Sequence, residues 1–267
     1  MEVGMSIFGG IPDEELVKLY KKAGINRTFI GAEHPDFDAV MKLYKDNDII
    51  CETLHAPFNK INDIWTDTPA GEDMLNRLLV SVDRCVKNNI PILVVHLSSK
   101  TPMPQMTDVG KARFAELVEY ADKNNVVIAF ENQRYMENLE YAMKAHPTAG
   151  FCWDNGHESC FTPGMHFMPY FGDRLVCLHM QDNCGEYDKD NHVLPFDGNI
   201  DFEEVAKSIA DSGFDGTVML EVTKNARYNG EMIYENLTTE EYVERAATSV
   251  RKLADMIDKY KEEKKNA

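Results

Sequence analysis

Six residues able to bind a metal or move a proton each close a short apolar run: His55 (Thr-Leu-His), His96 (Val-Val-His), Glu131 (Ala-Phe-Glu), Asp154 (Cys-Trp-Asp), His179 (Cys-Leu-His) and Glu221 (Met-Leu-Glu). One such residue commonly faces solvent, but a succession at matching places points to a shared task. A divalent cation needs ligands converging from separate directions. Glu131, Asp154, His179 and Glu221 supply three carboxylates and one imidazole. That set suits Mn²⁺, Mg²⁺, Co²⁺ or Zn²⁺ without choosing among them, and it lacks the thiolates of a structural zinc site. Two of the carboxylates can also do acid–base work. Isomerising a sugar beside its carbonyl means removing a weakly acidic C–H proton, and a metal on the carbonyl and adjacent hydroxyl stabilises the resulting enediolate. Glu131 and Glu221 are the catalytic candidates, one taking the proton and the other returning it on the opposite face.

Further candidates surround this set. His157 lies three residues beyond Asp154, and His192 lies in a long polar loop that runs from Asp182 to Asp201. His157 and His192, with His55 and His96, are expected to bind substrate or a second metal. His34, His146 and His166 fall outside the pattern and read as surface or packing residues. Phe8, Phe58, Trp65 and Trp153 are either core or an apolar wall for a sugar ring.

The elements that must carry these residues alternate. Strand-like runs are Glu2–Ile7, Arg27–Ile30, Ile49–His55, Ile92–His96, Val126–Glu131, Thr148–Asp154, Leu175–His179 and Thr217–Glu221. Most are continuously apolar, as parallel strands covered on both faces are. Helical periodicity follows over Pro12–Ala23, Phe37–Asp46, Glu72–Asn88, Asp108–Lys123, Asn138–Ala145, Met165–Phe171, Phe202–Ser212 and Thr239–Lys259. The terminal stretch from Lys259 to Ala267 reads as a frayed helix end. Eight such units in 267 residues predict an α/β fold, a single (β/α)₈ TIM barrel over residues 1–267, whose chemistry gathers at the C-terminal strand ends. A doubly wound sheet is the alternative, but no Gly-x-Gly-x-x-Gly follows the first strand.

Composition narrows the partners. Asp and Glu number 45 against 28 Lys and Arg, a net charge of −17, which argues against gripping a phosphate backbone. The longest apolar stretch, from Ile90 to Leu97, is far too short to span a membrane, and the acidic start of the chain is unlike a secretory leader. Six cysteines without a Cys-x-x-Cys pair read as reduced core residues in a cytoplasmic protein.

Phe130-Glu131-Asn132, Asp154-Asn-Gly-His157, His179-Met-Gln-Asp-Asn183, Gly198-Asn-Ile-Asp201-Phe202 and Leu220-Glu221 together resemble the sugar phosphate isomerase/epimerase group of the xylose-isomerase-like TIM-barrel superfamily. The resemblance implies one divalent metal on Glu131, Asp154, His179 and Glu221, with the two glutamates as acid/base pair and His157 touching substrate. The superfamily also holds apurinic endonucleases with three zinc ions. To their ligand pattern His55, His96, Glu131, Asp154, His157, His179, Asp190, His192 and Glu221 can each be matched, Asp190-Asn-His192 having the Asp-x-His spacing of the third-metal ligands. Where the group commonly reads Pro-Gly-x-Gly, this chain has Pro195-Phe-Asp-Gly198, and its substrate-binding arginine has no counterpart beyond Lys189. The expected function is metal-dependent isomerisation or epimerisation of a sugar or keto-polyol. A keto-polyol dehydratase, a trinuclear-zinc phosphodiesterase and a non-catalytic sugar-binding barrel are the alternatives. Homo-oligomers are common among such barrels.

Overall fold

The computed structural model describes residues 1–228 and 230–266. Its strands are β1 (Val3–Phe8), β2 (Arg27–Gly31), β3 (Ile50–His55), β4 (Ile92–His96), β5 (Val127–Glu131), β6 (Gly150–Asp154), β7 (Leu175–His179) and β8 (Val218–Thr223). Between and after them come α1 (Asp13–Lys22), α2 (Phe37–Asp46), α3 (Pro69–Asn88), α4 (Asp108–Lys123), α5 (Met136–Ala145), α6 (Asn155–Phe161), α7 (Met168–Phe171), α8 (Phe202–Ser212) and α9 (Thr239–Lys265). A small antiparallel ladder, β9 (Arg227–Tyr228) with β10 (Glu231–Met232), precedes α9.

Strands β2 to β7 are hydrogen-bonded in chain order in one sheet. β1 pairs with β8 in parallel, from Val3 opposite Val218 to Phe8 opposite Thr223. Pairing of the first long strand with the last is what a (β/α)₈ barrel demands. The helix ends follow from local chemistry. α1 starts behind Pro12 with Asp13, Glu14 and Glu15 in its first turn and ends on Lys21 and Lys22, each sign placed to suit the helix dipole. α9 opens with a capping box between Thr238 and Glu241.

The chain forms two compact units. One comprises residues 29–37 and 51–152. Its core joins Leu93, Val94 and Val95 of β4 to Phe130 of β5, Leu78 and Val82 of α3 and Phe114 and Leu117 of α4, all without solvent exposure. Trp65 packs on Phe114 at 5.1 Å between ring centroids and donates its Nε1–H to the Leu97 carbonyl at 2.8 Å. A side chain at Gly110 would overlap that indole, so α4 can lie against Trp65 only through a glycine. Trp65 is therefore core, not a substrate wall.

The other unit comprises residues 1–28, 38–50 and 153–267. Here α9 lays Tyr242, Ala246, Val250, Leu253 and Ile257 inward on one stripe, in a core that also holds Met5, Leu178, Leu220 and Val222. Burying each large aliphatic or aromatic side chain contributes about 1.5–3 kcal/mol. Trp153 is also buried, its Nε1–H bonded to Glu158 at 2.9 Å.

Two expectations need correction. The helix following β6 begins at once, as α6 at Asn155, and Met165–Phe171 shrinks to the single turn α7. The charged tail is not frayed at Lys259, because α9 runs to Lys265 with Lys261 paired to Asp215 at 3.1 Å and Lys264 to Asp211 at 2.7 Å. Ala267 lies outside the described residues.

Candidate active site

Parallel register places the candidate ligands. Glu131 closes β5 opposite Cys152 of β6, and Asp154 closes that same strand two residues on. His179 closes β7. Met180 bridges to Leu220, and the Glu221 N–H donates to the Met180 carbonyl at 3.0 Å, which brings Glu221 level with the end of β7. β8 runs two residues past Glu221, which stands opposite Ser6. Glu131, Asp154 and His179 are at most 1% exposed. A buried carboxylate persists only with compensating positive charge or hydrogen bonds.

In the unit of residues 29–37 and 51–152, two imidazoles face Glu131. His96 Nε2 lies 2.7 Å and His55 Nε2 3.3 Å from Glu131 Oε2. The two rings stand edge to face, 4.9 Å apart. Phe58, half exposed, stacks on His96 at 5.0 Å and meets His55 edge-on at 5.4 Å. His55 also places Nδ1 2.8 Å from the Ala56 carbonyl. A carbonyl only accepts, so Nδ1 carries the proton, and a neutral His55 turns the lone pair of Nε2 toward a carboxylate. Two acceptors face each other there unless the ring is protonated or a cation lies between them.

The same logic recurs in the unit of residues 1–28, 38–50 and 153–267. His192 Nδ1 meets the Glu221 carbonyl at 3.0 Å, and its Nε2 faces Asp190 Oδ2, also at 3.0 Å. His157 Nε2 approaches the same Asp190 oxygen at 3.3 Å, and its Nδ1 lies 3.7 Å from Asp154 Oδ2. Burial opposes charge on His192, yet the Asp190, Glu221 and Asp154 carboxylates outweigh it and push its pKa up to about 9. Burial likewise opposes ionisation of Asp190, but His192 and His157 hold its carboxyl well below the usual range. His179 Nδ1 lies 3.4 Å from Glu221 Oε2. Phe8 stands edge-on to His192 at 5.0 Å.

These donors fit a divalent cation. A ligating histidine ordinarily donates its second N–H to a backbone carbonyl or carboxylate, which fixes the ring and aims the other nitrogen at the metal. His55 and His192 are both arranged so. Two triplets, His55–His96–Glu131 and His157–Asp190–His192, each hold their potential ligand atoms within 4.8 Å of one another.

Sequence reasoning missed several residues that shape the site. Asp154 also caps α6, its Oδ1 accepting the His157 N–H at 2.7 Å, so one side chain fixes the position of another candidate. Asp182 accepts four backbone N–H groups: Asn183 and Ile200 on Oδ1 at 2.8 and 3.0 Å, Phe196 and Gly198 on Oδ2 at 3.0 and 2.8 Å. It ties together the loop that carries Asp190 and His192. Gln181, fully buried, touches Asp154, Asp190 and His192. The string His179-Met-Gln-Asp-Asn183 signals all of this only by its density of polar residues after an apolar strand. His34, His146 and His166 play the parts expected: His34 half-buried, His146 packed between Phe130 and Tyr141 at 6.1 and 6.5 Å, and His166 exposed beside Glu158.

Comparison with known proteins places the fold. Solved structures similar to the chain include D-psicose 3-epimerase with D-tagatose from Clostridium cellulolyticum H10, with a TM-score of 0.73, 14% identity and coverage of 93% of this chain and 94% of that one. The IolI protein with a bound zinc atom matches with a TM-score of 0.68, 17% identity and coverage of 91% and 92%. An uncharacterised protein, y4fM, of Sinorhizobium fredii is 34% identical over 109 residues, 40% of this chain. The chain spans 32% and 64% of the lengths of the curated relatives it matches. The sequence pattern of the xylose isomerase-like TIM barrel family matches residues 25–237, most of the chain, and the protein belongs to that family.

Proposed function

We propose that the protein is a divalent-metal-dependent isomerase or epimerase acting on a small sugar or related keto-polyol. The observation that carries the reading is the pairing of buried Glu131 and half-buried Asp190 with imidazoles whose other nitrogen is committed to a backbone carbonyl, at His55 and His192. Glu131, Asp154, His179 and Glu221 would hold the cation, which when bound would polarise the substrate carbonyl and offset the charge left by a departing proton. Glu221 and Glu131 are the acid/base pair. Glu131 has one carboxylate oxygen hydrogen-bonded to His96 at 2.7 Å, which restricts its orientation. Glu221 is the more solvent-accessible of the two and lies beside His179. His157 and His192, both turned on Asp190, are the residues that would meet substrate or a second cation. Phe8 and Phe58 add exposed aromatic faces suited to the C–H side of a sugar.

Several free cysteines are fully buried, and no helix among the described residues is long and apolar enough to cross a membrane. The buried thiols fit a cytoplasmic enzyme; that the chain is a single domain, acts on a small carbohydrate and forms homo-oligomers belongs to the same proposal. Incubating the metal-loaded protein with a panel of ketoses in D₂O tests the chemistry. Deuterium is expected at the carbon beside the carbonyl. A filled metal site with no exchange in any sugar refutes the proton-transfer mechanism for that panel.

A second reading, hydrolysis of a phosphate ester with more than one cation, is favoured by one observation. Both triplets, His55–His96–Glu131 and His157–Asp190–His192, are assembled with metal-ligand spacing. Elemental analysis separates the two: one ion per chain supports the isomerase, three zinc ions the hydrolase.

A further inference from the structure

We propose that Gln181 is a positioning residue, whose side-chain amide aims Asp190 and pins the main chain at His192 so that this pair meets Asp154 and His157. It rests on the reading of this cluster as part of the active site. Asp190 and His192 come from a long loop and not from a strand, so something other than sheet geometry must place them. Gln181 supplies it. Its Nε2 donates to Asp190 Oδ1 at 2.8 Å and lies 3.3 Å from Asp154 Oδ2. Its Oε1 accepts the His192 N–H at 2.9 Å. With Oδ1 occupied, Asp190 turns Oδ2 toward both His157 and His192.

The amide is itself held. Asn155 clasps the Gln181 main chain from both sides, accepting its N–H at 3.0 Å and donating to its carbonyl at 2.8 Å. A Cβ at Gly156 would overlap the Gln181 side chain, so this glycine leaves the amide its space. His192 pays for its position with a φ of +50°, a left-handed conformation uncommon outside glycine, which persists only where surrounding contacts enforce it. The Gln181 bond to the His192 N–H is one such contact. Glutamine suits the place chemically as well: it donates to two carboxylates and accepts from an amide while adding no charge. Glutamate of the same shape keeps the acceptor but sets a third carboxylate against Asp154 and Asp190.

The test compares Gln181→Leu and Gln181→Glu with the parent protein in full-length, metal-free form. Amide hydrogen exchange at His192 is read by mass spectrometry or NMR. The ring-nitrogen resonances of His157 and His192 are read by NMR, with exposed His166 as control. In Gln181→Leu, exchange at His192 is expected to accelerate at least tenfold, and both ring signals to shift. In Gln181→Glu, His192 keeps its amide protection within about twofold, yet both ring signals still shift because Asp190 is turned away. Unchanged ring signals in the folded glutamate variant, or unchanged exchange in a folded leucine variant, overturn the proposal. Should the leucine variant fail to fold, the isosteric glutamate variant decides alone. KM for a turned-over sugar is expected to rise at least tenfold in both variants, with kcat changed less. If the parent protein turns over no sugar, the functional reading fails, while exchange and ring signals still decide the role of Gln181.

Discussion

Replacing Asp182 by asparagine removes one carboxylate oxygen from a carboxylate that organises the loop beyond β7. Its Oδ1 serves Asn183 and Ile200, and its Oδ2 serves Phe196 and Gly198, at 2.8–3.0 Å. An amide keeps one acceptor and turns an NH₂ group toward the other two N–H donors. Whichever way it flips, two hydrogen bonds are lost and two donors are left unmatched. Each such loss costs about 1–3 kcal/mol, so the expected destabilisation is about 4 kcal/mol. Little relief is available, because Gly198 has no room even for a Cβ against the Asp182 oxygens. Hydrogen exchange at the four amides reads the effect directly. At 1.4 kcal/mol per factor of ten, one pair, Asn183 with Ile200 or Phe196 with Gly198, should exchange roughly a thousandfold faster. Amides in α9 serve as internal reference. A variant that loses less than about 1 kcal/mol in urea denaturation and shows unchanged exchange at all four amides refutes the argument that Asp182 holds this loop.

Other outcomes follow from the same geometry. Glu221→Gln should lower kcat by roughly 10²–10⁴-fold if Glu221 moves a proton, with the melting temperature little changed; steady-state kinetics on whichever sugar exchanges deuterium checks it. Burial raises the Cys85 thiol to about 12 and pushes Cys51 above its ordinary range. Iodoacetamide at pH 8 should therefore label half-buried Cys184 well before either of them, as peptide mass spectrometry would show. The linkage has a definite sign. A thiol whose folded pKa is raised contributes stability that is complete below the unfolded value near 9 and drains away as pH climbs toward 12. Each thiol should cost about 1.4 kcal/mol per pH unit in that window, and Cys85→Ala should flatten the fall measured by urea titration at pH 9 and 10.

Much of this architecture is legible from the chain because apolar runs and helix caps are local signals. α2, α4 and α8 have the boundaries that periodicity and start chemistry predict, and β4 and β7 coincide with their apolar runs. α6 is invisible to that method. Asn155-Gly156-His157 has no apolar repeat, and its helix starts because a candidate ligand, Asp154, caps it. The end of α9 is misread for the opposite reason: Lys261 and Lys264 look like solvated tail until Asp215 and Asp211 are brought beside them. Sequence places Glu131, Asp154 and His179 at strand ends, where they do lie, since a charged or polar residue interrupting apolar sequence is conspicuous. Gln181 and Asp182 act through hydrogen bonds to backbone up to 18 residues away, and no one-dimensional pattern encodes such closures.

The partnership of β1 with β8 bears on how the protein is made. Among the described residues Val3 pairs with Val218, so at roughly 5–20 residues per second the ribosome needs on the order of 10–40 s to deliver that partner. The unit built mainly from residues 51–152 has nearly all its chain available well before then. Throughout the interval Val3–Phe8 is a nascent strand with an unsatisfied edge, the kind of segment that recruits wrong partners. Productive biosynthesis then depends on keeping that one hexapeptide from pairing until its partner appears, and slowing translation after residue 152 should lower soluble yield more than slowing it before.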